Sequence, residues 1–349
     1  VSDAVPWVDL GVALADAPVR DAIARVLDSG WFIGGDEVAA VEAEVAEWMG
    51  REHGVAVSSG TTALELGLAA LDVGPDDEVI IPAVSFVATA GAVLRTGATP
   101  VVVDVLPDGP WMDPDAAEAA LTSKTAAIIP VHLFGTAAPT PDLGVPVLDD
   151  ACQAVSPGGP STGRCTAVSF YPTKVLGGLG EGGMVLTDDA DLARRVTALR
   201  QHGCDQSGAV VEAGGTNARL DAVSAAVVRA RMPAIVGEIR RRREVAEAYD
   251  AVVAHRAVRR SAESPVSTYA ILHPRRDELM SKLAEMGVPT AIYYPRFVHD
   301  HPAIRERVRV PTLLPHATRF CRQTLALPCH GGLTAAHVQR VVDALEALL

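Results

Sequence analysis

Apolar and polar positions along this chain follow two rhythms. Near 16 to 28 and 36 to 49 the apolar residues recur at helical spacing, which predicts two amphipathic helices. From 54 to 187 short β-branched runs take turns with helical stretches. Val55-Ala-Val57, Val79-Ile-Ile81, Val145-Pro-Val-Leu-Asp-Asp150, the run beginning at Thr166 and Met184-Val-Leu-Thr-Asp188 are the strand candidates. Such alternation predicts an α/β large domain whose mostly parallel sheet is flanked by helices. A further helix is expected from Ala190 to His202, then a glycine-rich loop over 203 to 218. From Leu220 a long helical pattern follows, which Pro233 should interrupt. Beyond about residue 250 the alternation restarts, with strands near 266 to 273 and 288 to 293 and helices near 275 to 286 and 334 to 348. The expected division is therefore a large domain over 1–250 and a smaller C-terminal α+β domain over 251–349. No internal repeat is evident.

Composition narrows the class of protein. At 349 residues and 49% hydrophobic content the chain can bury one large core and a smaller second lobe. A net charge of -13 argues against general nucleic-acid binding. The Arg240-Arg-Arg-Arg243 run is expected on a solvated helix face. Five cysteines, at 152, 165, 204, 321 and 329, form no C-x-x-C pair and no zinc spacing. No metal site, and reduced thiols in a cytoplasmic protein, are the expectations. The sequence holds no apolar run of membrane-spanning length, and no signal peptide is expected.

Candidate chemistry begins at Lys174, which closes Thr166-Ala-Val-Ser-Phe-Tyr-Pro-Thr-Lys174 just ahead of a glycine-rich stretch. The chain has three lysines against twenty-seven arginines. Schiff-base chemistry needs an amine that can lose its proton, which lysine can do and arginine cannot. Upstream, a short strand ends in Asp149 and Asp150, at the sheet edge where α/β proteins bind ligands. Pyridoxal phosphate needs an acid facing its pyridine nitrogen so that the ring accepts electrons. Asp150 is assigned that role, with Asp149 as a possible cap of the following turn. For the phosphate, Ser58-Ser-Gly-Thr-Thr62 precedes a helical pattern. Gly60 permits close approach, and Thr61 and Thr62 offer donors at a helix N-terminus; an ordinary N-cap explains the same residues. Phe86 offers a ring that can lie on a pyridine. Glycines 178, 180 and 183 spell G-x-G-x-x-G, but a strand follows where a dinucleotide-binding motif opens a helix.

These motifs, in this order, resemble the DegT/StrS family of sugar aminotransferases, within the fold-type I pyridoxal-phosphate enzymes. The resemblance runs from about Trp7 to the C-terminus. It is carried by Ser29-Gly-Trp-Phe-Ile-Gly-Gly35, Ser58-Ser-Gly-Thr61, Ile81-Pro-Ala-Val-Ser-Phe86, Gly97-Ala-Thr-Pro100, Ile129-Pro-Val-His-Leu-Phe-Gly135, Asp150-Ala-Cys-Gln153, Ser169-Phe-Tyr-Pro-Thr-Lys174 and Asn217-Ala-Arg-Leu-Asp221. The resemblance implies that Lys174 forms the Schiff base with pyridoxal 5'-phosphate and later shuttles the substrate proton. It implies that Asp150 faces the pyridine nitrogen, Gln153 bonds the phenolic oxygen, Phe86 stacks on the ring, and Gly60, Thr61 and Ser169 hold the phosphate. Asn217 would reach the phosphate of the neighbouring subunit, which implies a homodimer with shared active sites. Relatives with histidine in place of the lysine deoxygenate a sugar carbon, so lysine here implies amino transfer.

The implied reaction moves nitrogen from an amino acid, usually L-glutamate, through pyridoxamine 5'-phosphate to a nucleotide-linked keto-sugar. Such amino sugars go into antibiotics, polysaccharides or glycoproteins. Alternatives are a cyclitol or other non-nucleotide ketone as acceptor, or a cofactor-binding regulator without turnover. Tyr293, Tyr294, Arg296 and His330 are the substrate candidates. Single histidines at 132 and 202 and the thiol of Cys152 have structural explanations at least as good. Departures from the family pattern are Val175, Ser85, the proline-rich stretch 137 to 145 and Ser267-Thr-Tyr269.

Overall fold

The protein is seen in a computed structural model that describes residues 4–11 and 16–349. Its large sheet is made of β1 (His53–Val57), β2 (Glu78–Pro82), β3 (Thr99–Val103), β4 (Thr125–Ile128), β5 (Leu148–Asp150), β6 (Cys165–Ser169) and β7 (Gly183–Thr187). The order β1-β7-β6-β5 continues into β4-β2-β3, because Ile128 bridges Val147 and Val131 bridges Asp150 in parallel. Among these strands β7 alone runs against its neighbours, β1 and β6. Thus β1, β2, β4, β5 and β6 all end on one edge of the sheet. Ser59, Phe86, Asp150 and the turn to Lys174 follow there.

The sheet is covered on both faces, which explains why its strands are continuous apolar runs. Successive side chains of a strand point to opposite faces. Accordingly Val55, Val57, Ala167 and Val185 pack in one cluster with helices Gly60–Ala70 and Val87–Thr96. Their neighbours Ala56, Val168, Met184 and Leu186 pack in another with helices Asp36–Met49 and Ala222–Val253.

Helix Ala222–Val253 runs through Pro233 without the expected interruption. Proline removes one backbone bond, but Ala225, Val228, Ile235 and Ile239 on either side of it are held in the same core. Its later turns change partners: Val245, Ala246, Tyr249 and Val253 join a third core with Tyr269, Leu325, Leu327 and Val341. There β8 (Tyr269–Leu272) pairs antiparallel with β9 (Thr324–Leu327), a strand that the sequence pattern did not suggest. The strand expected over 288 to 293 shrinks to one bridge between Ala291 and Ala326. Its backbone leaves the sheet at once to line the cavity described below. Segment 298 to 321 returns to the large sheet: Arg309 bridges Val101, and Phe320 packs in the core beneath Phe134. Among the described residues no helix is long and apolar enough to cross a membrane, and no acid, histidine and cysteine cluster could hold a metal.

Candidate active site

The strand ends surround a cavity of about 530 Å³. Its wall includes Gly60, Thr61, Phe86, Asp150, Gln153, Ser169 and Lys174, so the residues expected around one cofactor do meet in one place. Tyr293, Tyr294 and His330 also line it. Arg296 is exposed outside the wall, and Asn217 is exposed outside the cavity of its own chain, where its Oδ1 accepts from Arg219 Nε at 3.2 Å.

At one end the helix Gly60–Ala70 begins. Ser59 is its N-cap and accepts from the Thr62 amide at 3.0 Å, while the Thr62 hydroxyl lies 2.8 Å from Ser59 Oγ. Thr62 is therefore committed to the cap and does not line the cavity, contrary to expectation. The amides of Gly60 and Thr61 have no backbone partner among the described residues and sit at the positive end of the helix dipole. A Cβ on Gly60 would lie 2.7 Å from Ser169 Cβ and 2.8 Å from Cys152 Sγ. Glycine is what lets this helix start against the ends of β5 and β6. Gly60→Ala is expected to cost about 1–3 kcal/mol of stability through overpacking, measured by urea melts.

The two consecutive acids face opposite ways. Asp150 lines the cavity, where its Oδ2 accepts from the buried Thr89 hydroxyl at 3.0 Å and its Oδ1 from the Cys152 amide at 3.2 Å. Thr89 had no signal in the sequence. Asp149 is fully buried behind the sheet and accepts from the amides of Thr162 at 2.7 Å and Gly163 at 2.6 Å. Instead of capping the following turn it pins a distant loop. His132 completes the pair: its Nδ1 accepts from the Ala138 amide at 2.9 Å, so its Nε2 carries the proton that points at Asp149, 3.2 Å away. Burial opposes ionisation of Asp149, but His132 and the two amides outweigh it, and the carboxyl is held below its usual range. The sign follows from linkage. The stabilisation is complete above the ordinary carboxylate range and is lost as pH falls through the depressed native value. Asp149→Asn is expected to cost about 3 kcal/mol at neutral pH and to flatten the acid limb of the stability profile, read from melts across pH.

Lys174 follows a turn closed by its own amide on the Tyr171 carbonyl at 2.8 Å. The glycines beyond it serve packing: a Cβ on Gly177 would collide with the Pro172 carbonyl, and one on Gly183 would meet the Ser59 carbonyl at 2.5 Å. Gly183 opens β7, so the G-x-G-x-x-G stretch is a loop between antiparallel strands. Burial first, and then the adjacent Asp150, push the Cys152 thiol up, with Lys174 opposing them. Gln153 is oriented by the Phe134 amide, which donates to its Oε1 at 2.9 Å and leaves its Nε2 facing Tyr294 Oη at 3.4 Å. The Phe86 ring is 56% exposed and lies 6.1 Å from the Tyr294 ring.

The arrangement suits a flat, anionic, carbonyl-bearing ring. It offers an amine, an anion cradle at a helix start, an uncovered aromatic face and a hydrogen-bonded carboxylate. Arg242 also lines the cavity and is buried, although its run of arginines suggested a solvated face. The signal was there in the spacing: 235, 239, 242, 245 and 249 form one buried stripe of the helix.

Comparison with known proteins bears on this geometry. The model of the DegT/DnrJ/EryC1/StrS aminotransferase family matches residues 15–346. The chain is 39% identical to a dTDP-3-amino-3,4,6-trideoxy-alpha-D-glucose transaminase of Streptomyces venezuelae, over 98% of this chain and 95% of that protein. A crystal structure of S. venezuelae DesV in complex with a ketimine intermediate superposes with a TM-score of 0.93 at 37% identity, covering 99% of this chain and 98% of that one. NtdA from Bacillus subtilis, with bound cofactor PMP, superposes at 0.90 with 29% identity, covering 99% of this chain and 85% of that one.

Proposed function

The chain belongs to the DegT/DnrJ/EryC1/StrS aminotransferase family, whose members depend on pyridoxal phosphate, and we propose that it moves an amino group from L-glutamate to a nucleotide-linked keto-sugar. The observation that carries this reading is the meeting of Lys174, Asp150, Phe86 and the Gly60–Thr61 helix start around one cavity.

Pyridoxal phosphate, when bound, supplies a carbonyl that condenses with amines and a ring that takes up the electron pair released at the substrate carbon. The protein's share is placement and proton management. The Gly60 and Thr61 amides with the Ser169 hydroxyl bind the phosphate, and Phe86 covers one face of the ring. Asp150, itself steadied by Thr89 and the Cys152 amide, keeps the proton on the ring nitrogen. The Gln153 amide, turned by Phe134, presents its Nε2 to the phenolic oxygen. The Lys174 amine would hold the cofactor by its carbonyl at rest and, once released, would take and return the proton of the substrate carbon. Tyr293 and Tyr294 meet the acceptor near the ring, and His330 meets it further along the wall.

The working unit is a cytoplasmic homodimer of two-lobed subunits, with the lobes meeting near residue 250 and Asn217 serving the partner's phosphate. The apolar side chains Trp31, Phe32 and Ile33, left 64%, 47% and 52% exposed, support such a contact, since monomers rarely leave apolar side chains clustered on the surface. The test is direct. Protein loaded with pyridoxal phosphate should be yellow, L-glutamate should bleach it, and a keto-sugar nucleotide should restore the colour while an amino sugar forms. A yellow protein that no amino donor bleaches would instead support a regulatory role without turnover.

A further inference from the structure

Arg242 is 7% exposed, yet no carboxylate lies within ion-pair distance of it among the described residues. Its Nη1 donates to the Cys329 carbonyl at 2.9 Å and more weakly to the Val266 carbonyl at 3.4 Å. Its Nε is buried without any partner, and no bond from its Nη2 exists among the described residues. The acid on the preceding turn, Glu238, is taken by Arg231 at 3.3 Å. A guanidinium keeps its charge under all ordinary conditions, so this is a buried cation without an ion pair, with Glu238 acting on it only at longer range.

A second orphan lies on the same wall. The Ser267 hydroxyl oxygen is also buried without a partner, and both residues line the cavity that holds Lys174. His330 beside them adds no charge to satisfy either, because burial pushes its imidazole below the ordinary histidine range and its Nε2 is engaged with the Pro6 carbonyl at 3.0 Å. Two donors without partners, one of them a cation, on residues lining the same cavity call for an anionic acceptor.

We propose that Arg242 and Ser267 form the seat for a carboxylate of the amino donor. The inference rests on the amino-transfer reading and adds to it the group that recognises the donor. A planar guanidinium matches a carboxylate through paired hydrogen bonds. The diphosphate of a sugar nucleotide carries bulk on both sides and cannot sink to a guanidinium covered by the backbone of Val266 and Cys329. A slender carboxylate can, and it leaves the open part of the cavity for the sugar in the second half of the reaction.

The experiment separates the two half-reactions in the cofactor-loaded protein and adds a binding measurement that needs no turnover. In Arg242→Gln the apparent dissociation constant for L-glutamate in the bleaching step should rise at least about 30-fold, with the keto-sugar half-reaction within about threefold of the parent. Glutarate should bind the parent by calorimetry and fail to bind Arg242→Gln and Arg242→Lys. Weakening of L-alanine and L-glutamate alike assigns the seat to the α-carboxylate; weakening of L-glutamate alone assigns it to the side-chain carboxylate. Should Arg242→Gln not fold, Ser267→Ala carries the test, with about a fivefold loss of donor affinity expected for one hydrogen bond. Unchanged donor affinity and unchanged glutarate binding in these variants, with a transaminating parent, overturn the seat alone. A parent that transfers no nitrogen from any donor overturns the amino-transfer reading, and glutarate binding still decides the seat.

Discussion

Lys174→Ala is expected to abolish amino transfer, with turnover falling by at least about 10⁴-fold, because one side chain performs two tasks. In the proposed reading it holds the cofactor by its carbonyl and serves as base for the substrate carbon. Thr173, Tyr171 and Ser169 on the same wall carry hydroxyls, which cannot condense with a carbonyl as an amine does. Asp150, steadied by Thr89 and the Cys152 amide, is assigned to the ring nitrogen in the proposed reading. Lys174→Arg should fail equally, since a guanidinium neither deprotonates nor condenses. The check is single-turnover bleaching by L-glutamate in a variant whose cofactor content and melting temperature have been matched to the parent. Partial rescue by a small added amine would assign the missing function to proton transfer.

Asp150→Asn carries the second large effect. The amide is nearly the same shape and can still accept one hydrogen bond, so the fold should survive. What it lacks is the negative charge opposite the ring nitrogen, and its amide hydrogens face the proton that the carboxylate would hold. The expected loss is about 10²–10³-fold in both half-reactions with cofactor affinity little changed, the pattern for removing charge stabilisation that matters most in the transition state. Equal rates in variant and parent would transfer the role to another acid. Asp149 is not available for it, since its carboxylate is spent behind the sheet on His132, Thr162 and Gly163.

Much of this site was legible in the sequence because its chemistry sits at strand ends. A rare lysine, an acid pair and a small-residue turn each ended a short apolar run, and the parallel strands carried them to one edge. Which acid faced the cavity was decided only by the pleat: consecutive residues of β5 point to opposite faces, and the local pattern does not say which face holds the cavity. Thr89 was hidden because it reaches Asp150 from another helix, and nothing local marks a threonine as a carboxylate's partner. Arg242 was misjudged because charge dominated the reading of a helix whose buried stripe runs through it. Arg296 was named with Tyr293 and Tyr294 because their segment resembles one at the mouth of the site in the family, and the structure leaves it exposed outside the cavity wall. In the C-terminal region β9 was missed because Thr324-Leu-Ala-Leu327 directly follows helix Pro315–Gln323 with no glycine between them.

The most direct test of the account is where the cofactor becomes attached. The chain offers three lysines, at 124, 174 and 282, so borohydride reduction of protein incubated with pyridoxal phosphate, followed by peptide mass mapping, gives an unambiguous site. Stoichiometric labelling of Lys174, prevented by prior addition of L-glutamate, is the predicted result. Label on Lys124 or Lys282 with Lys174 unmodified, or no label at all, would contradict it.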